Sequence, residues 1–194
     1  MRIGVTGGIG SGKSYVCRLL AQRWQLPVYD CDSAAKMLMV SSPHIRQQLQ
    51  ELVGDDVYDA SGQLNKGVMS RYLFTDAAHV KAVNAIVHPA VKDDFEQWAS
   101  RQTGDVVMES AILVEAGFAK AVDCLVVVEA PLALRIQRAM ARDGATEEQV
   151  RARVRHQMTA EQLRAYADIV IVNDGRDLLS QLSPIVNYTS PIIH

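Results

Sequence analysis

The chain has 194 residues, 48% of them apolar and 22% charged, and carries a formal net charge of −2. That length and apolar share suit one domain with a packed core, with room for a small helical insertion, and exclude a disordered chain. The basic excess that accompanies nucleic-acid or anionic-membrane partners is missing, so any phosphate binding has to be local.

Residues 2–6 read as a short apolar strand that runs into Gly7-Gly8-Ile9-Gly10-Ser11-Gly12-Lys13-Ser14. Val16, Leu19, Leu20 and Trp24 then repeat at helical spacing over residues 13–24. The eight loop residues satisfy G-x-x-x-x-G-K-[ST], in the strand, loop and helix setting that the pattern requires. Glycines let the backbone turn successive N–H groups inward at a helix N-terminus, which makes a nest for an anion. Nucleotide-phosphate contacts are therefore expected at Gly8, Gly10, Ser11, Gly12, Lys13, Ser14 and, through its backbone, Tyr15. Lys13 reaches β- and γ-phosphates as a point charge, and the Ser14 hydroxyl is placed to ligate Mg²⁺. A glycine-rich turn with a solvated lysine is the plain alternative, and the flanking strand and helix count against it.

A second strand at 26–29 ends at Asp30-Cys31-Asp32, with Ala34, Ala35, Leu38 and Met39 suggesting a helix beyond. Phosphoryl transfer needs a group that orients or accepts the proton of the attacking hydroxyl. Asp32 is the candidate base, and an N-cap for the next helix is the competing role. Flanking carboxylates disfavour a Cys31 thiolate, which argues against a cysteine nucleophile.

From 43 to 103 the apolar spacing stays helical and no strand run appears, which predicts a helical insertion. His88 precedes Pro89 between two helical segments of it, as either a buried, hydrogen-bonded histidine or a cap neighbour. Strands resume at 105–109, 123–129 and 168–172, in β-branched runs that suit a sheet buried on both faces. Strands alternating with helices imply a parallel sheet in an α/β fold. Glu109 ends one strand, where a carboxylate would help hold a metal through water or merely be solvated.

Helices predicted at 131–140 and 146–163, broken at Asp143-Gly144, carry Arg138 and Arg142 one turn apart and resemble a lid. Both arginines are candidates to swing onto the transferring phosphate, against the alternative of solvated surface charges. Asn173-Asp174-Gly175 turns the chain, and the state of 183–194 is left undetermined. Three cysteines, Cys17, Cys31 and Cys124, without metal-ligand spacing predict reduced thiols in a cytoplasmic protein. Neither a signal peptide nor a membrane span is expected.

Five blocks, in order, make the chain similar to the dephospho-CoA kinase family: IGVTGGIGSGKS, VYDCDSAAK, VNAIVHPAV, ILVEAGF, and QRAMARDGAT followed by ADIVIVNDG. The loop alone would suit any nucleotide kinase. The Asn84, His88 and Pro89 block and the Glu115 block, in this order and spacing, are what single out the family. The resemblance implies a P-loop NTPase core with a five-stranded parallel sheet (about 1–40, 104–130 and 166–194), a helical CoA-binding insertion (about 41–103) and a helical lid (about 131–165). It implies transfer of the ATP γ-phosphate to the ribose 3′-hydroxyl of dephospho-CoA, with ATP and Mg²⁺ required. It makes Asp32 the general base, Lys13, Arg138 and Arg142 the phosphate contacts, and His88 and Glu115, with Asp32, parts of the acceptor side. Small-molecule substrates are the expected partners, in a monomer or weak homo-oligomer without nucleic acid or membrane.

Tyr15, Glu109, Glu129 and Arg135 depart from the residues common at these places in the family, which touches fine geometry but removes nothing needed for phosphate or proton handling. Another P-loop small-molecule or nucleotide kinase stays open on the fold alone. Against it, residues 42–100 offer only Arg46 and Arg71 for a monophosphate acceptor. A non-catalytic nucleotide- or CoA-binding module is opposed by the intact Lys13, Ser14, Asp32 and Arg142.

Overall fold

The computed structural model describes residues 1–189. Their contacts divide the chain into two units, one of Met1–Asp30 with Ala99–His194 and one of Cys31–Trp98.

The first unit is built on five parallel strands, β1 (Arg2–Thr6), β2 (Val28–Asp30), β3 (Val106–Glu109), β4 (Cys124–Glu129) and β5 (Ile169–Val172), in the order β2-β3-β1-β4-β5. β1 lies at the centre, with Val5 opposite Glu109 on one side and Val126 on the other. Alternation along β1 sends Ile3 and Val5 to one face, where α1 (Lys13–Trp24) and α9 (Leu178–Thr189) cover them with Val16, Leu20, Leu182 and Ile185. Each of these side chains is fully buried, which stabilises the fold by about 1.5–3 kcal/mol apiece for the larger ones. Gly4 faces the other way, where an added Cβ would meet Leu113 and Val122 at 3.0 Å. The carboxyl ends of β2, β3 and β1 thus come side by side in that order, and the glycine loop leaves from β1, the central strand of the five.

After β4 the chain forms α6 (Leu132–Asp143), α7 (Glu147–Arg155) and α8 (Ala160–Arg164). Gly144, at φ 63°, closes α6, three residues beyond its predicted end. The single helix predicted at 146–163 is two. Thr159 caps α8 through a reciprocal box with Gln162, as Thr146 caps α7 with Gln149. Each box satisfies two backbone donors, and the second stops the helical path at 156–159. In the tail, α9 runs through Pro184 to Thr189, and residues 190–194 lie outside those described.

The second unit is helical, with α2 (Cys31–Ser41), α3 (Pro43–Val53), α4 (Lys66–Leu73) and most of α5 (Ala77–Ser100). Ser42 caps α3 and Asn65 caps α4, each accepting from a backbone N–H three residues on. α5 is continuous through Pro89, where two segments were predicted. A proline inside a helix costs about 3 kcal/mol. Val83, Val87, Val91 and Phe95, buried at four-residue intervals on both sides of it, outweigh that cost by packing. Among the described residues all three cysteines are buried free thiols, and no helix is long and apolar enough to cross a membrane.

Candidate active site

The glycine loop leaves β1 and closes on α1. Gly12, at φ 94°, precedes the helix without any side-chain cap. A Cβ there would stand 2.0 Å from Asn173 Nδ2, and one on Gly10, at φ 75°, would stand 2.0 Å from the Arg135 carbonyl oxygen. Only glycine combines those dihedrals with that approach. The Ser11 N–H donates to the Gly8 carbonyl at 3.0 Å, and the Tyr15 N–H to the Gly12 carbonyl at 3.0 Å. The Ser11 hydroxyl is buried and has no hydrogen-bond partner among the described residues. The N–H groups of Gly10, Gly12, Lys13 and Ser14 take no partner among the described residues. Four unclaimed donors at a helix start form an anion nest with the helix dipole behind it.

At the carboxyl end of β3, the Ser14 Oγ donates to Glu109 Oε1 at 2.5 Å. Glu109 is buried, and Asp30 stands opposite it in the β2–β3 register. An oxygen set of hydroxyl and carboxylate suits a small hard cation that keeps most of its water and phosphate ligands, as Mg²⁺ does. Burial, reinforced by Glu109, holds the Cys17 thiol well above its usual range, so it stays protonated and inert.

α6 packs over the loop. Arg135 Nε donates to the Ile9 carbonyl at 3.0 Å, and the same guanidinium lies against Gly8. Its own burial pulls the Arg135 pKa down. One turn on, Arg138 Nη1 donates to the Asn173 carbonyl at 3.0 Å, and Asn173 Nδ2 donates to the Ser11 carbonyl at 2.9 Å. The last strand is thereby tied to the first loop. Arg142 is exposed, and Asp143 grips it through two hydrogen bonds of 2.7 and 3.1 Å while also pairing with Arg153 at 2.9 Å. Those bonds raise the Arg142 pKa. Arg138 therefore lies at the loop, and Arg142 is parked one turn beyond it.

Two further residues tie the α7–α8 linker to the core. Gln157 Oε1 accepts from the Ile9 N–H at 2.8 Å, and Glu115 Oε1 accepts from the Met158 N–H at 3.3 Å. Beside Gly8, a cavity of about 280 Å³ is lined by Glu129, Arg135, Met158, Leu163 and Arg164. Glu129 and Arg164 meet across it in a bidentate pair of 2.7 and 2.5 Å.

In the second unit, Asp32 is exposed in the first turn of α2, inside the helix rather than at its cap. His88 is half-buried in α5, and burial lowers its pKa below 6.5. Lys13, Ser14, Asp32, His88, Glu115, Arg138 and Arg142 are candidates already in the sequence, with Glu109 secondary. Arg135 and Glu129 stand out there only as departures, Asn173 only as a turn residue, and Gln157 not at all. No motif marks Gln157, whose one local signal is its place before the Thr159 cap.

Compared with known proteins, residues 1–178 match the family model described as dephospho-CoA kinase. The chain is 45% identical over 197 residues to the dephospho-CoA kinase of Bacteroides fragilis, covering 100% of this chain and 95% of that protein. It is 44% identical over 179 residues to that of Porphyromonas gingivalis, covering 91% and 88%. Among solved structures, TT1252 from Thermus thermophilus superposes with a TM-score of 0.84 at 34% identity, covering 98% of each chain. A shikimate kinase from Acinetobacter baumannii superposes with a TM-score of 0.59 at 16% identity, covering 96% and 91%, which speaks for the fold alone.

Proposed function

This chain belongs to the dephospho-CoA kinase family, and from that premise we propose how its own residues divide the work. It is an ATP-dependent phosphotransferase that moves the γ-phosphate of ATP to the ribose 3′-hydroxyl of dephospho-CoA, the final step of coenzyme A biosynthesis.

The observation that carries the assignment of roles is the four-donor nest at Gly10, Gly12, Lys13 and Ser14, flanked by Lys13 and Arg138. The nest takes the phosphates of ATP, with the β-phosphate at the start of α1. Ser14 and Glu109 would hold Mg²⁺, and the ion would supply neutralisation of the charge on the phosphates. Lys13 and Arg138 offset the negative charge that spreads over the transferring group and the ADP leaving group. Arg142 joins them once it lets go of Asp143. Asp32 takes the proton of the 3′-hydroxyl as its oxygen forms the new bond to phosphorus and the bond to the β-phosphate oxygen breaks.

The helical unit Cys31–Trp98 supplies the acceptor side, with Asp32 and His88, and α6 to α8 serve as the lid. The lowered pKa leaves His88 neutral near pH 7, so its ring accepts one hydrogen bond and donates another. Glu115, in the segment between β3 and β4, braces Met158 and is assigned to the acceptor as well. Three buried free thiols fit a reducing, cytoplasmic setting.

The test is conversion of dephospho-CoA by purified protein with ATP and Mg²⁺, followed by mass. Product should gain one phosphate on the ribose and form ADP in equal amount. Faster phosphorylation of a nucleoside monophosphate in the same assay would move the reading to another acceptor.

A further inference from the structure

Ile9 is engaged on three sides by the helices that follow β4. Its side chain packs with the cluster of Ile136, Ala139 and Val150 between α6 and α7. Its carbonyl accepts from Arg135 Nε at 3.0 Å, and its N–H donates to Gln157 Oε1 at 2.8 Å. The last contact differs in kind. Gly10, Gly12, Lys13 and Ser14 keep their N–H groups unclaimed among the described residues, whereas the Ile9 donor of the same loop is taken by a side chain. A neutral amide oxygen there occupies a place that suits an anionic one.

We propose that Gln157 is a specificity-determining residue that tells the triphosphate donor from the diphosphate product, by holding the Ile9 N–H until an oxygen of the terminal phosphate displaces it. The proposal rests on the nucleotide reading of the glycine loop. The four unclaimed donors run up to the first turn of α1, and Ile9 precedes them in the chain, further from the start of that helix in sequence. With the β-phosphate taken to sit at the start of α1, the Ile9 N–H is assigned to the third phosphate. A charged acceptor makes a bond roughly twice as strong as a neutral one, so ATP can win the exchange that ADP does not enter. Gln157 stands between α7 and α8, and the Met158–Glu115 contact keeps that linker attached when Gln157 is released. Each cycle then swaps one acceptor for another on the same N–H. The glutamine makes ATP binding weaker than the loop alone would give, and leaves ADP untouched.

Substitution of Gln157 in both directions separates this role from a structural one, because the residue is only half-buried and both variants should fold. Binding of ATP and of ADP, each with Mg²⁺ and without acceptor, is measured by titration calorimetry on the wild type, Gln157→Ala and Gln157→Glu. Removing a neutral hydrogen-bonded competitor in Gln157→Ala should tighten ATP by about 3- to 10-fold, with ADP within about twofold. Gln157→Glu places an anion on the same N–H, so ATP should weaken by about 10-fold or more while ADP weakens less. Thermal melting checks that both variants stay folded. An ATP-to-ADP affinity ratio that stays constant, or falls in Gln157→Ala, overturns the proposal. A wild type that binds neither nucleotide overturns the glycine-loop reading, and this proposal with it.

Discussion

Ser14 gives its hydroxyl proton to Glu109 across 2.5 Å, which leaves the serine oxygen's lone pairs turned away from the carboxylate. An oxygen oriented in that way is ready to meet a cation. Glu109→Gln reverses the arrangement, since the amide can donate to Ser14 as well as accept. The expected result is a 10- to 100-fold, order-of-magnitude rise in the Mg²⁺ concentration that half-saturates activity, as for other groups that orient a metal ligand. A Mg²⁺ titration of initial rate checks it, and an unchanged midpoint would remove Glu109 from the metal site.

Lys13→Ala should lower kcat by about 10³-fold, because the ammonium compensates charge that develops over the phosphate oxygens. Lys13 is half-buried at the start of α1 with no hydrogen bond that the sheet depends on. Thermal melting should therefore be nearly unchanged. A variant that kept more than about a tenth of kcat would contradict the cradle.

Asp32→Asn should remove most of kcat while ATP affinity stays within a few-fold, since a base is called on in the chemical step and the amide is nearly isosteric. Asp32 lies inside the first turn of α2, where an acidic side chain interacts favourably with the helix dipole. Loss of that charge gives a second, small effect on stability. Single-turnover kinetics beside a denaturant titration separates the two, and full activity would leave Asp32 with the helix role alone.

Arg142→Ala should cut kcat by about 10² to 10³ with a smaller change in the KM for ATP, and lysine should not restore it. With Arg142 as the finger, Arg138→Ala should be milder, since part of its work is to hold the Asn173 carbonyl. Steady-state kinetics on both variants decides between them. An inactive Arg138→Ala beside a near-normal Arg142→Ala would hand the finger role to Arg138 and leave Arg142 as the surface partner of Asp143.

Burial holds the His88 imidazole below its ordinary 6.5, so the unfolded chain binds that proton more readily than the folded one. Above 6.5 the group contributes nothing to pH dependence. As the pH falls below 6.5 the folded state loses stability relative to the unfolded one, until the folded imidazole is protonated as well. Urea midpoints between pH 8 and 5 should thus drop more for the wild type than for His88→Gln. Parallel curves would show that the ring is not desolvated.

The parts of this molecule legible in the sequence are those set by neighbours along the chain. Residues 2–24 give strand, loop and helix at the observed positions because apolar period and glycine spacing are local. Pro89 reads as a break in the sequence, since only the buried faces on both sides of it show that the helix has reason to continue. The break at 156–159 could have been found from Thr159 and Gln162, a box that pattern alone reveals. Arg135 and Gln157 could not. Their partners in the glycine loop lie 126 and 148 residues away, and no period connects such positions.

Asn173 reaches back 162 residues to brace the Ser11 carbonyl. β1, which leads into that loop, sits between β3 and β4, both made long after it. During synthesis the glycine motif is therefore translated well before its brace, and stays without it until the fifth strand has been made. Closing so long a separation is slow, and the exposed β1 has to wait for it. A ligand stabilises only chains that already present its site, so ATP in the cell can rescue finished molecules from unfolding but cannot help nascent ones to fold. The glycine motif becomes a working pocket only once a brace 162 residues further along the chain has been made.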